Sequence, residues 1–402
     1  MKPRIFINIH YLEIGGAETA LTGLLQALDP QRADVDLFLN DPRGEMLAYV
    51  PEWVNVLPSC KPYTMIERPI KEVVKAGYIG IAAARLWAKM RFWLYARRKR
   101  PVDGSAIFGY VGKYVTPLLP SLKHLGEYDL AISFLTPHNI VLDKVRAKRK
   151  ICWIHTDYTH IDVDAALELP VWSGYDRIVS ISDDVTRTFC TVFPSLRNKI
   201  VKIENILSPD FIRNRGLSGN PPCDMPPAEN GYTLLTIGRY SYPKRLDEIP
   251  AICRRIVERG TAVKWYIIGY GGSDDYIRQA IAAEGMEKHV VLLGKRENPY
   301  PYIAACDWYV QPSRYEGKSV VVREAQILGK PVIITDYPTS GSQVQNGIDG
   351  VVVPMETAAC AGAMAAVIKD DVLKSAVADY LSSHDYGNGS EAEKIYSLAE
   401  NL

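Results

Sequence analysis

Two glutamates, Glu316 and Glu324, stand in the segment EGKSVVVRE, between an apolar run ending at Pro312 and the apolar stretch AQILG. A helix starting near Ser319 would leave Glu316 in the preceding loop and place Glu324 about a turn and a half inside. The backbone N–H groups of Gly317, Lys318 and Ser319 would then project from the helix's amino end, whose partial positive charge favours anionic or oxygen-rich ligands. A second group begins at Gly238 in GRYSYPKRLD, where Arg239 with Lys244 or Arg245 offers permanent positive charge suited to phosphoryl oxygens. Gly269, Gly271, Gly272 and Gly294 close successive apolar runs. Such glycines let a ligand approach the carboxyl edge of a parallel sheet, where open α/β folds bind their ligands.

These groups need a scaffold, and the chain reads as two. RIFINI at residues 4–9, a glycine turn and an amphipathic stretch from Glu18 to Leu28 give a strand, loop and helix. The alternation continues through DVDLFLN, YDLAISFL, KICWIH and DRIVSIS, apolar runs of the kind covered on both faces. From about Ser208 to Tyr232 the chain turns rich in Pro, Gly and Asn, which marks a junction just before it. A second series follows: YTLLTIGR, VKWYIIG, VVLLGK, DWYVQP, PVIITD and GVVVP. The expected organisation is a doubly wound domain over residues 1–206, a second over 207–384, and a crossing segment over 385–402 packing back on the first. In that segment Ser390 is the expected helix N-cap, with Glu393 three positions on.

At 402 residues the chain suits two cores better than one. A hydrophobic content of 47% and a charged content of 23% are those of a folded globular protein, and a formal net charge of +1 argues against bulk attraction to nucleic acid. The seven cysteines show no metal-ligand spacing and read as reduced thiols in a cytoplasmic protein without a secretory leader. Asp162-Val163-Asp164 has the look of a metal-binding acidic pair, but nothing around it supports a site. No metal and no cofactor are expected. No stretch approaches the roughly 18 apolar residues of a membrane span.

Taken together, the E-x7-E pair, the GR-to-K loop, IIGYGG and ACDWYVQPSRYEG resemble the retaining GT-B glycosyltransferases of the large family four, which includes sucrose synthase and bacterial mannosyltransferases. The resemblance spans nearly the whole chain and is densest from Thr236 to Pro354. It implies two Rossmann-like domains facing a central cleft, with the acceptor on the first and a nucleotide sugar on the second. By the same resemblance Arg239 and Lys244 would clamp the donor diphosphate, Glu324 would accept the ribose hydroxyls and Glu316 would face the donor sugar. The main chain of Gly317, Lys318 and Ser319 would meet sugar and phosphate, Gly269 would let the donor approach its strand end, and backbone near Lys295 and Arg296 would read the base. Gly15 and Gly16 in EIGGAE match the family's glycine loop and would approach the donor phosphates; His155 in WIHTDY matches a histidine that contacts the sugar or acceptor. Two departures bear on the donor: TSGSQ, with Ser342 and Gln343, replaces a common glutamate, and Lys318 stands where Phe or Met is common.

A UDP-sugar is the preferred donor, with a lipid-linked or polysaccharide acceptor in surface-glycan assembly such as capsule or lipopolysaccharide. Residues 85–100 (RLWAKMRFWLYARRKR) interleave Arg85, Lys89, Arg91, Arg97, Arg98, Lys99 and Arg100 with aromatic residues and hold no acid, as expected for a helix lying on an anionic membrane surface. The same segment also suits a packed helix with a solvated face. Competing readings are a nucleotide-sugar epimerase, a catalytically inactive scaffold of a polysaccharide assembly complex, and a nucleotide-dependent oxidoreductase; the last is disfavoured because no GxGxxG follows the first strand.

Overall fold

The computed structural model describes residues 2–101, 103–159, 161–217, 222–316 and 318–400. The chain forms two compact units, one of residues 1–206 with 388–402 and the other of residues 207–387.

In the first unit seven strands form one parallel sheet: β1 (Arg4–Ile9), β2 (Asp34–Leu39), β3 (Asn55–Val56), β4 (Glu127–Ser133), β5 (Arg146–Ile154), β6 (Arg177–Ser180) and β7 (Ile200–Lys202). Their order is β3-β2-β1-β4-β5-β6-β7. Every residue of β1 after Arg4 is buried, because helices cover both faces of the sheet. The edge strands β3 and β7 carry no apolar run, which is why no sequence pattern announces them; sheet neighbours, not composition, hold them in place. The helix Ala392–Glu400 buries Ile395 and Tyr396 in this unit's core, and Arg32 grips both carboxylate oxygens of Glu393 at 2.5 and 3.0 Å. The expected capping role of Ser390 is therefore corrected: Ser390 lies within the single turn Gly389–Glu391, and the Glu393 side chain turns to Arg32.

The second unit holds a six-stranded parallel sheet of β8 (Tyr232–Ile237), β9 (Val263–Ile268), β10 (Val290–Gly294), β11 (Trp308–Gln311), β12 (Val332–Thr335) and β13 (Val351–Val353), ordered β10-β9-β8-β11-β12-β13. Two apolar layers, one on each face, hold it: Leu234, Trp265, Ile267 and Val310 belong to one, Leu235, Tyr266, Tyr309 and Ile334 to the other. The Pro/Gly-rich junction is less open than its composition suggests. Its described part includes the helix Pro209–Leu217, and Met225 is buried in the second unit. Both units are thus doubly wound parallel sheets, as expected from the two β/α series.

Candidate functional site

In the second sheet, β8 lies between β9 and β11, so the connections leave its carboxyl end in opposite directions and open a crevice there. The loop after β8 carries Arg239 and Lys244; the loop after β11 carries Ser313 to Glu316. The sheet order alone brings these distant segments side by side.

At their meeting point Lys244 Nζ lies 2.5 Å from Glu316 Oε1. The same oxygen accepts from Ser313 Oγ at 2.6 Å and from Gln311 Nε2 at 3.2 Å, and Thr339 Oγ1 donates to the Glu316 carbonyl at 2.8 Å. Charge-assisted bonds converging on one oxygen fix the carboxylate's direction. The loops are braced from behind by Arg314, which donates to the Tyr242 carbonyl at 2.7 Å, binds Asp247 through two bonds of 2.9 and 2.8 Å, and reaches Glu248 at 2.7 Å. Arg245 turns inward to Glu248 and Thr357 and is 3% exposed, so of the two cations weighed beside Arg239, Lys244 is the one left at the crevice. Burial works against ionisation of Glu248, but the charges and donors around it win and hold its pKa down at about 2. Arg239 is exposed, and among the described residues its guanidinium carries no ion pair.

The helix Val320–Ile327 begins directly after Ser319, which is its N-cap by backbone but makes no side-chain capping bond. Lys318 is half-buried just before it, and Gly317 lies outside the described residues. Glu324 sits in the helix's second turn, 4% exposed, accepting from the Tyr300 hydroxyl at 2.9 Å. Burial raises its pKa to about 7, against the opposing pull of Tyr300 and of nearby Arg215.

Gly269 ends β9 where there is no room for a side chain: a Cβ there would stand 1.9 Å from the Gly238 carbonyl oxygen. Lys295 Nζ lies over the Tyr270 ring at 5.6 Å, while Arg296 is tied to Asp224 and, through Nε, to the Tyr302 hydroxyl at 2.9 Å. These ties hold the backbone after β10 in one orientation.

In the first unit, Gly15 is the extended residue before the helix Gly16–Ala27. A Cβ on Gly15 would meet Glu18 Oε2 at 2.2 Å, whereas Gly16 faces open space. The acid seated at this helix's amino end is the chain's own Glu18, buried and with its pKa raised by that burial. His155 is packed at the end of β5, its ring 4.7 Å from Phe134 and stacked on Trp153 at 6.3 Å. Among the described residues its buried Nε2 has no hydrogen-bond partner, and burial pulls its pKa down to about 4, so it is a neutral imidazole at physiological pH. Asp164 caps the helix Ala165–Ser173 and accepts from the Tyr110 hydroxyl at 2.7 Å, which is the structural use of that acidic pair. Among the described residues no cluster of three or more His, Cys, Asp or Glu side chains is arranged to hold a metal.

Gln311, Ser313, Arg314, Thr339 and Tyr300 escaped the sequence reading. One signal was available: Gln311 is a polar residue at the end of an apolar strand, fully buried in the structure. In the first unit His10, directly after β1, contacts Glu67, a pair the sequence does not announce.

The helix Ile79–Lys99 carries the basic aromatic segment. Leu86, Trp87, Met90, Trp93 and Leu94 are all exposed along it, with Arg97 stacked 4.0 Å over Trp93. Arg85 departs from its expected place on a basic surface: it turns inward to donate to the Met65 carbonyl at 2.9 Å and to that of Arg68. Among the described residues no helix is long and apolar enough to cross a membrane.

Residues 231–370 match the family model "Glycosyl transferases group 1", a span that includes the whole crevice just described. A glycosyltransferase of Methanocaldococcus jannaschii, MJ1607, otherwise uncharacterised, is 23% identical over 245 residues, covering 56% of this chain and 60% of its own length. The poly(ribitol-phosphate) alpha-N-acetylglucosaminyltransferase of Staphylococcus aureus is 31% identical over 100 residues, 25% of this chain and 20% of that protein. The chain thus spans less than two thirds of the length of these relatives. Among solved structures, Anabaena Alr3699/HepE in complex with UDP and glucose superposes with a TM-score of 0.65 at 16% identity, covering 100% of both chains. That likeness establishes the GT-B fold.

Proposed function

Starting from a chain that carries a glycosyl transferases group 1 domain on a GT-B fold, we propose that it is a retaining glycosyltransferase. It transfers a sugar from a nucleoside diphosphate, preferably UDP, to a lipid-linked or polysaccharide acceptor in cell-surface glycan biosynthesis. The observation that carries this reading is the 2.5 Å contact between Lys244 and Glu316 at the second sheet's crevice, with Arg239 exposed beside it. Two cations and a helix amino end offer what a departing diphosphate needs. Glu316, one oxygen already held by three donors, presents the other to the donor sugar's hydroxyls. Glu324 accepts from the ribose.

As the sugar's C1–O bond to the diphosphate breaks, negative charge grows on the phosphate and positive charge on the sugar. Lys244 and Arg239 stabilise the first. The acceptor oxygen attacks C1 from the leaving group's own face, and its proton passes to the departing phosphate oxygen, so the configuration is retained without an enzyme nucleophile. No step in this scheme calls on a metal. The reading is supported by the domain match and by a neighbour of the same fold solved with UDP and glucose.

The exposed apolar stripe from Leu86 to Leu94, flanked by Lys89, Arg97 and Arg98, supports peripheral docking on an anionic membrane, where a lipid-linked acceptor resides. A thermal-shift panel of UDP, GDP, ADP and their sugars tests the donor assignment, since a ligand of the folded state raises its melting temperature. UDP-sugars should give the largest shift; a panel in which no nucleotide shifts the protein would defeat the proposal.

A further inference from the structure

The first unit contains a cavity of about 210 Å³ that none of the roles above uses. Its floor is made by the loop after β4, with Pro137 and His138, and by Glu168 and Trp172 of the helix Ala165–Ser173; its rim carries Lys113 and Pro170. The helix Ile107–Val115 is pressed against this floor. A Cβ on its Gly112 would stand 2.3 Å from Asn139 Oδ1 and 2.7 Å from Pro137 Cβ, and a Cβ on Gly109 3.1 Å from Glu168 Oε1. The volume suits one ring-sized group, below the ~300–1,000 Å³ of pockets for larger small molecules.

Two polar groups on this floor are under-used. Glu168 is 8% exposed, and among the described residues it has one side-chain donor, Trp172 Nε1 at 3.2 Å, and no cation. His138 is 2% exposed; its Nδ1 contacts Ser133 Oγ at 2.8 Å, and among the described residues its buried Nε2 has no hydrogen-bond partner. Burial, helped by the Asp164 charge and opposed by the Trp172 bond, raises the Glu168 pKa to about 7; burial, with His155 and His10 nearby, lowers that of His138 to about 3, so near neutral pH the pair comprises an acid able to donate or accept and a neutral imidazole. A bond between Glu168 and Trp172 four residues on would suffice to steady the helix. It does not account for the opening to solvent, nor for an imidazole nitrogen left without a hydrogen-bond partner among the described residues. Apolar walls of Leu167, Pro170 and Val171 around neutral hydrogen-bonding groups match the two faces of a sugar ring, its C–H surface and its hydroxyls.

We propose that this cavity is a subsite for one uncharged sugar ring of the acceptor, with Glu168 as its hydroxyl-binding group. The inference rests on the glycosyltransferase reading. It is tested on the full chain by saturation-transfer NMR with methyl glycosides of glucose, galactose, mannose and N-acetylglucosamine, with a UDP thermal shift measured in parallel. At least one glycoside should bind the wild-type protein. Leu167→Trp, which fills the cavity, should abolish that signal, and Glu168→Gln should weaken binding at least fivefold, while the UDP shift is the same in all three proteins. Absence of glycoside binding to wild type, or undiminished binding to both variants, overturns the subsite. If Leu167→Trp does not fold, Glu168→Gln decides alone. A wild-type protein that binds a glycoside but gives no UDP shift counts against the donor reading instead and leaves the cavity standing.

Discussion

Glu324→Gln separates stability from function at one atom. Glu324 is buried against the Tyr300 hydroxyl, and its pKa stands at about 7 instead of 4.5. A carboxyl whose folded pKa is raised holds its proton more tightly in the folded state than in the unfolded chain. Below pH 4.5 both states are protonated and nothing is lost. Between 4.5 and about 7 the unfolded chain ionises first and stability falls; above about 7 the full difference is felt. At ~1.4 kcal/mol per tenfold in acidity this amounts to roughly 3 kcal/mol. Glutamine does not titrate, so the variant should melt with wild type at pH 4.5 and, for a unit of this size, roughly 6–12 °C above it at pH 8. The same substitution replaces one of the two carboxylate oxygens proposed for the ribose hydroxyls by an amide NH2, which can only donate, and should weaken UDP binding at least tenfold. In the wild type, UDP affinity should decline as pH falls below 7, because donor binding favours the ionised form; the variant should show no such slope. Differential scanning calorimetry and UDP titration at both pH values measure all of this. Equal melting of the two proteins at pH 8, or a UDP affinity indifferent to the substitution, would refute the reasoning.

Lys244→Ala leaves Glu316 with its two neutral donors and removes a charge from the diphosphate; turnover should fall about a hundredfold or more, on the order of 3 kcal/mol, and the melting temperature should fall too, because the largely buried Glu316 loses its cation. Arg314→Ala should do the reverse in part. It uncouples the two loops and strands Asp247, costing about 2–3 kcal/mol of stability at this partly solvated site, with a smaller loss of turnover that Arg314→Lys restores incompletely, since only the guanidinium makes the paired bonds. Gly269→Ala should lower both stability and UDP binding, because its methyl group collides with the Gly238 carbonyl and displaces the β8 loop; unaltered binding in a folded variant would show that the close approach can relax. Replacing Trp87 and Trp93 together by Ala should reduce flotation with anionic liposomes severalfold and leave turnover on a water-soluble acceptor unchanged; equal flotation would end the membrane assignment.

Much of this architecture was written in short-range pattern. Every strand with an apolar run appeared where the run lies, because burial on both faces of a parallel sheet demands such runs and little else tolerates them. The helix after Ser319 was likewise legible, as was the placing of Glu316 and Glu324 on either side of its start. Local pattern failed where a residue's partner lies far along the chain. Ser390 and Glu393 have the spacing of a capping box, yet Arg32 takes the glutamate because the last helix packs beside it. Arg85 has the look of surface charge on a helical wheel, yet two backbone carbonyls from the preceding loop claim it.

By itself the sequence determined which residues can bear charge at a crevice, and that two α/β sheets would present them. The family resemblance singled out Lys244, but the physical reason that it and not Arg245 faces the crevice lies only in three dimensions. Lys244 and Arg245 are adjacent and chemically interchangeable on paper, but β8 and β11 are neighbours in the sheet though not in the chain, and their loops meet across 72 residues. There the brace of Arg314, Asp247 and Glu248 turns Arg245 into the core and leaves Lys244 on Glu316. Composition carries no record of that choice, because it depends on which of two side chains finds a buried partner once the backbone has closed.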